Sequence, residues 1–217
     1  EQLLTSSSTL LLNYEFAILP LANPDGYEYS RTRNRMWRKN RGKPFAVDLN
    51  RNWNHRWCEI GTKRRCLNKH ILIIHYLLGS SKNFRLDNYC GPSAASEPEV
   101  AAIQAYILSL PTRAIGFDVH SYGQMILRNY GWTSSPSPNE HICAPLSNKM
   151  VVAMQAVDKI EYTAVRSSGL YPVSGSAEDW MYVKAGMHGF VMELRDKGRH
   201  GFQLPASQII PTGKELF

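Results

Sequence analysis

The sequence lacks any apolar run long enough to cross a membrane. The longest, ILIIHYLL at residues 71–78, falls far short of the ~20 residues that a spanning helix requires. Cysteine is scarce. Cys58, Cys66, Cys90 and Cys143 contain no CxxC pair and no Cys/His finger spacing, which removes a structural zinc finger from consideration. Their even number permits disulfides, but the spacing leaves the pairing open. There is no internal repeat. Glu1 falls in mid-pattern with neither an initiator Met nor a signal-peptide pattern, and Phe217 falls inside a helical pattern. The expectation is a piece truncated at both ends.

What is present is an ordinary globular composition, with 43% apolar and 20% charged residues among 217, enough for one domain with a sizeable core. The formal net charge of +7 is concentrated. Residues 31–43, RTRNRMWRKNRGK, hold seven basic side chains and no acidic one, and the remainder is balanced. Three readings fit such a run: a solvated loop, a nucleic-acid surface in which Trp37 stacks on a base, or a basic cleft for an acidic group on a small substrate.

Apolar periodicity and turn chemistry predict the elements. NYEFAILP at 13–20 reads as a strand and LANPDGY as a turn. SEPEVAAIQAYILSL at 96–110 reads as a helix, with Ser96 and Glu99 as a capping box and Pro98 in the first turn. AIGFDVHS at 114–121 and HGFVMELR at 188–195 read as buried strands. Helices are expected over 145–159 and 176–186, the second ended by Gly186. Alternating strands and helices imply an α/β fold with a mainly parallel or mixed sheet, and such sheets gather sites at the carboxyl ends of their strands. His120 and Glu193 both fall at such ends.

Taken singly, the polar residues at these places carry two readings each. His120 is a hydrogen-bonded structural histidine or a metal ligand. Glu193 is paired with an arginine such as Arg195, or held in a cleft as a general base. Asn50 and Arg51, in VDLNRNW, form a loop network or a carboxylate clamp, for which the planar guanidinium is suited. Tyr171, in GLYPVSGSAEDW, is a surface aromatic or a mobile loop residue that meets a ligand.

Together, in order and context, these residues resemble the zinc metallocarboxypeptidases of the carboxypeptidase A/B type. The resemblance runs through NPDGYEYS, NRMWRKNR, VDLNRNW, SEPEV, VHSYGQ, LYPVSGSAEDW, MELRDKGRHGF and LPASQIIPT, almost the whole chain. It implies a single catalytic domain over 1–217, incomplete, in a mixed twisted sheet of eight strands in the whole family domain with helices on both faces. It implies a zinc-dependent exopeptidase that removes the C-terminal residue of peptides. By resemblance, His120 is the third zinc ligand and Glu193 the general base. Arg38 polarises the scissile carbonyl. Asn50 and Arg51 grip the terminal carboxylate, Tyr171 closes over the substrate, and Arg35 lines the outer carboxylate path. Glu178 stands at the base of the side-chain pocket, where an acidic residue goes with terminal Lys or Arg. Cis peptide bonds are expected at Ser121–Tyr122 and Arg195–Asp196. The implied partners are peptide or protein C-termini, with no nucleic acid and no membrane, and the implied state is a secreted, extracellular monomer.

The sequence also departs from the pattern. No HxxE motif, which would supply the other two zinc ligands, occurs in the chain; His55 and Glu59 are one residue too far apart. One ligand of three is therefore present, and this chain by itself is expected to be inactive, since such sites need about three protein ligands. The positions of the family's common disulfide are held by Pro44 and Arg85, so Cys58 and Cys90 are expected to pair instead. Residues 66–84 stand where the family has a short loop, and read as an insertion or as an intron translated in error. Three outcomes follow: part of an active carboxypeptidase, a pseudoenzyme that binds C-terminal carboxylates through Asn50 and Arg51 without cleavage, or a nucleic-acid binder using residues 31–43.

Overall fold

Four strands build one mixed sheet in the computed structural model, which describes residues 8–59 and 79–216. They are β1 (Ile115–Ser121), β2 (Met125–Arg128), β3 (Thr163–Arg166) and β4 (His188–Leu194), in the order β1-β4-β2-β3. β4 is parallel to β1 and antiparallel to β2, and β2 is parallel to β3. Of the eight strands expected for the whole family domain, these four lie among the described residues. The helices are α1 (Ser8–Asn13), α2 (Pro24–Thr32), α3 (Pro98–Ser109), α4 (Glu140–Asp158), α5 (Ser167–Leu170), α6 (Ala177–Val183) and α7 (Ile209–Glu215).

β4 reads as an almost unbroken apolar run because both of its faces are covered. Phe190 and Met192 turn to one side, where they pack with Ile126, Tyr162 and the buried stripe of α4, Cys143, Val151 and Met154. On the other side Gly189 lies under α6. A Cβ at that position would stand 2.3 Å from the Glu178 carbonyl oxygen, so only glycine permits the approach. Below α6 a second core holds Trp53, Val100, Trp180, Met181 and Met187. Helices thus cover both faces, as expected.

Several elements differ from their sequence reading. Residues 14–20 form no strand: a strand needs a pairing neighbour, none of the described residues supplies one, and Tyr14, Ile18 and Leu19 are exposed. The following segment opens a helix rather than a turn. Asn23 caps α2 by accepting from the Gly26 N–H at 3.0 Å, and Pro24 takes the first helical position, where its missing N–H costs nothing. The capping box is absent. Ser96 donates instead to Glu97 at 2.7 Å, and Glu99 accepts from Asn40. α4 begins five residues earlier than Pro145, because a proline this near the N-terminal end removes a single bond. β1 is buried only on the α6 side. Ile115, Phe117 and Val119, on its other face, are 40–49% exposed.

Cys58 and Cys90 form a disulfide, and Cys143 is free. Cys66 lies outside the described residues, as does most of the 66–84 segment. Ser121–Tyr122 and Arg195–Asp196 are both cis, as are Asn129–Tyr130 and Lys43–Pro44.

Candidate functional site

Strand alternation assembles one wall of the site. Asp118 and His120 stand two apart on β1 and therefore share a face, and the parallel register sets His120 beside Glu193 of β4. The second wall comes from a 3₁₀ turn, Leu49–Arg51. Asp48 caps it through the Asn50 N–H at 3.1 Å and so turns Asn50 and Arg51 inward. The third wall is the loop running from α5 into α6. It lies flat on the 3₁₀ turn because Gly175, at φ +70°, allows backbone contact with Arg51, whose carbonyl oxygen a Cβ would meet at 2.4 Å.

These walls enclose one narrow pocket lined by Asn50, Arg51, Ser167, Tyr171, Glu178 and Glu193, with Leu127, Val173 and Val191 supplying apolar surface. Five residues singled out in the sequence thus meet in one place. Arg38 stands at its edge, its side chain 39% exposed, with Nε 2.9 Å from Asp48. The Asp48 charge raises the Arg38 pKa further and keeps the guanidinium charged. Burial would push the Asp48 carboxyl up, but Arg38 and Arg51 outweigh burial and hold it below the usual carboxylate range. Arg35 is not brought to this pocket. It lines a separate cavity of about 330 Å³ with Ser121, Phe202, Gln208 and Thr212.

Arg51 is buried. Its guanidinium donates to the carbonyl oxygens of Asn50 at 2.7 Å and Gly79 at 3.2 Å. Glu193 is not paired with Arg195, which lies on the other side of β4 and binds Glu215 and Asp158. Burial pushes the Glu193 carboxyl up; His120 opposes this and Asp118 adds to it. A carboxylate raised in this way suits proton transfer.

His120 is crowded at one nitrogen. Its Nε2 lies 2.7 Å from Asp118 Oδ2 and 3.0 Å from Asn50 Nδ2. The Asn50 amide is oriented by its oxygen, which accepts from the Ala177 N–H at 2.8 Å, so its NH₂ faces the ring. A single ring nitrogen cannot accept from the amide and donate to the carboxylate at once, and the charge-assisted bond to Asp118 is the stronger. Burial disfavours a charged ring, yet Asp118 prevails and pushes His120 up to about 9. Among the described residues, no group of three His, Cys, Asp or Glu side chains is arranged to hold a metal ion. The residues here do not fit a complete zinc centre.

Glu178 sits at the pocket floor, 1% exposed, in the first turn of α6. Its Oε1 accepts from the Ser167 hydroxyl at 3.0 Å, whereas Oε2 is buried and has no hydrogen-bond partner. Burial and the nearby Asp118 charge push its carboxyl up, against opposing hydrogen bonds from its own backbone N–H and from Ser176 and Ser167. Its neighbour Asp179 is turned away and fully engaged, accepting from the Gly131 N–H and the Asn129 amide at 3.0 Å each. The two adjacent carboxylates therefore have different surroundings.

Sequence reasoning missed Asp118, Asp48 and Ser167. The first two carried a signal. Asp118 shares its strand face with His120 by alternation, and Asp48 precedes Asn50 by two, a spacing common in Asx-type turns. Ser167 carried none, because it is brought to Glu178 by a loop closure that spacing does not encode.

Comparison with known proteins bears on the family and the fold. The zinc carboxypeptidase family model matches residues 2–217. Human carboxypeptidase O is 37% identical over 97% of this chain and 54% of its own length. Human mast cell carboxypeptidase A is 39% identical over 95% of this chain and 47% of its own. Bovine thrombin-activatable fibrinolysis inhibitor, solved in complex with a tick carboxypeptidase inhibitor, superposes with a TM-score of 0.78 at 33% identity, over 92% of this chain and 64% of that one. The chain spans about half the length of the curated relatives it matches.

Proposed function

This chain belongs to the zinc carboxypeptidase family, and on that premise we propose that the protein recognises the free C-terminus of a peptide and removes a terminal Lys or Arg. The observation that carries the proposal is the pocket whose lining includes Asn50, Arg51 and Glu178 together. Arg51 and Asn50 are suited to the α-carboxylate, since a buried guanidinium offers several fixed donors to an anion. Tyr171 closes the pocket mouth. Glu178 offers a buried, unpartnered carboxylate oxygen at the floor, which a cationic side chain satisfies and an apolar one does not. Arg38 is the group that steadies charge developing on the carbonyl oxygen, and Glu193 is the proton carrier.

Zinc is the family's metal, and when bound it supplies a Lewis acid. Because the described residues do not assemble its ligands, the hydrolytic step is assigned to the whole protein, and this chain's residues are assigned binding, selection and proton handling. The substrates are peptide or protein C-termini, met outside the cell by a monomer. Nucleic acid is not part of this reading, although of the seven basic side chains in the run only Lys39 is buried; some of them are engaged within the chain. Arg41 stacks 3.7 Å over Tyr29 and 4.8 Å over Trp37, and Lys39 donates to the Phe84 carbonyl.

The test is binding of short peptides that end in Lys, in Leu, or in Lys blocked as the amide. The free Lys peptide is expected to bind best, and the amide to lose most of its affinity. Glu178→Ile is expected to move the preference toward Leu; an unchanged preference sinks the assignment. Release of free Lys from peptides by the whole protein in the presence of zinc tests hydrolysis. A second reading, a binder of C-termini that does not cleave, is favoured by the engagement of His120 Nε2 with Asp118. It predicts the same binding order with no release.

A further inference from the structure

We propose that the cavity of about 330 Å³ that Arg35 lines is a second binding site, for an aromatic carboxylic acid whose ring carries a hydroxyl at the end remote from the acid. The cavity is separate from the peptide pocket, since no residue lines both. It is nevertheless a neighbour. Glu193 lines the pocket, and the next residue, Leu194, lines the cavity and packs on the α4 side of β4. A volume of this size is in the range of small-molecule sites, which join apolar walls to a few placed polar groups.

Three observations set the chemistry of the ligand. The apolar lining comes from Leu194, Phe202, Leu204, Ile209 and Leu216, which suits a flat apolar body. Phe202 is held edge-on by Tyr122, with 4.8 Å between ring centres, and is a fixed aromatic partner for a ligand ring. Arg35 is exposed and has no carboxylate partner among the described residues, so its guanidinium is open to an anion. The other arginine of the lining, Arg195, is not open: Glu215, Asp158 and Gln208 take its donors. Thr212 also lines the cavity. It is 9% exposed, and its hydroxyl is buried without a hydrogen-bond partner, although a helical threonine can bond back to the carbonyl four residues earlier. A buried hydroxyl left unpaired is costly, and a polar atom on a ligand relieves the cost. An exposed cation and a buried hydroxyl put the acid outside and the ring hydroxyl within. A fatty acid suits the walls and Arg35 but leaves Thr212 unpaired.

The experiment measures binding of para-hydroxyphenylpropionate, phenylpropionate and para-hydroxyphenylpropionamide by ligand-observed NMR, with an N-acylated Lys-ended peptide as competitor. The hydroxylated acid is expected to bind saturably with a Kd of about 1 mM, ordinary for a ligand of this size, and not to be displaced by the peptide. Its amide is expected to bind about tenfold more weakly, for want of a charged hydrogen bond. Arg35→Gln is expected to weaken both acids about tenfold and to leave the amide unaffected. Thr212→Val keeps the side-chain shape, and is expected to weaken the hydroxylated acid about threefold to tenfold while leaving phenylpropionate unchanged. Displacement by the peptide, or a loss in Arg51→Gln rather than in Arg35→Gln, would put the acid in the peptide pocket and overturn the inference. Equal binding of the two acids overturns it as well, as does an equal loss for both in Thr212→Val. If Thr212→Val does not fold, the two acids on the unaltered chain and on Arg35→Gln decide. The whole protein is measured in the same way. Binding by this chain that the whole protein lacks would mean that the cavity is covered there, and the inference falls. None of these failures touches the reading of the peptide pocket, which shares no residue with the cavity.

Discussion

Two glutamates are buried on opposite faces of the same sheet, and they have been treated very differently. Glu215, on the α4 side, is saturated. Arg195 donates to both of its oxygens, at 3.0 and 2.5 Å, and the Tyr162 hydroxyl adds a third bond at 2.7 Å. Glu178, on the α6 side, has one serine and an empty oxygen. Burial is almost the same, 4% against 1% exposed, so burial alone does not distinguish a structural carboxylate from a functional one. Under the function proposed for Glu178, completeness of pairing is what sets it apart from Glu215. A buried charge that the fold leaves half-satisfied is a cost that a ligand can relieve.

The most forceful way to break the comparison is to unpair the saturated side. Arg195→Leu strips Glu215 and Asp158 of their common partner, and is expected to lower stability by roughly 3–5 kcal/mol in urea unfolding. A loss below about 1 kcal/mol would show that the two glutamates are not so different after all.

Removing the charge on the unsaturated side is expected to do the reverse. Glu178→Gln keeps the shape, leaves stability within about 1 kcal/mol or raises it, and weakens binding of the Lys-ended peptide by about tenfold to a hundredfold, roughly what a charge-assisted hydrogen bond is worth. A large drop in stability with unchanged binding would place Glu178 with Glu215 as a structural group.

The smallest effect expected is in the pH dependence. Burial, then the Glu178 charge, pushes Asp179 up to about 7. A carboxyl raised in the folded state binds its proton more tightly there than when unfolded. Its contribution is therefore most favourable at acid pH and declines as pH rises from the ordinary carboxylate range through about 7. Denaturation midpoints measured from pH 4 to 8 are expected to show a decline assignable to this pair, and Glu178→Gln to make it shallower. An identical slope in the variant would separate the two carboxylates.

How much of this was legible beforehand varies with the range of the interaction concerned. β1 and β4 could be read from their apolar runs, and the placement of His120 and Glu193 at their ends followed from the α/β pattern. The register that makes those two neighbours did not. Residues 14–20 have strand-like composition, yet form none, because a strand is a property of a pair. Asn23 and Pro24 read as a turn because the same residues open helices, and only the following turn of chain decides between the two.

The sequence by itself determined the family, the α/β class, the clamp candidates Asn50 and Arg51, and Glu178 as the residue to watch. These rest on residue types in local order, which survive without coordinates. The tertiary structure alone decided that one oxygen of Glu178 is buried without a hydrogen bond, that Arg195 serves Glu215 rather than Glu193, that Arg35 lines another cavity, and that Asp118 competes for His120. Each of these is a contact between segments far apart in the chain, or a matter of which way a side chain turns. Long-range contacts and side-chain directions are set by packing of the whole molecule and leave no mark in local spacing.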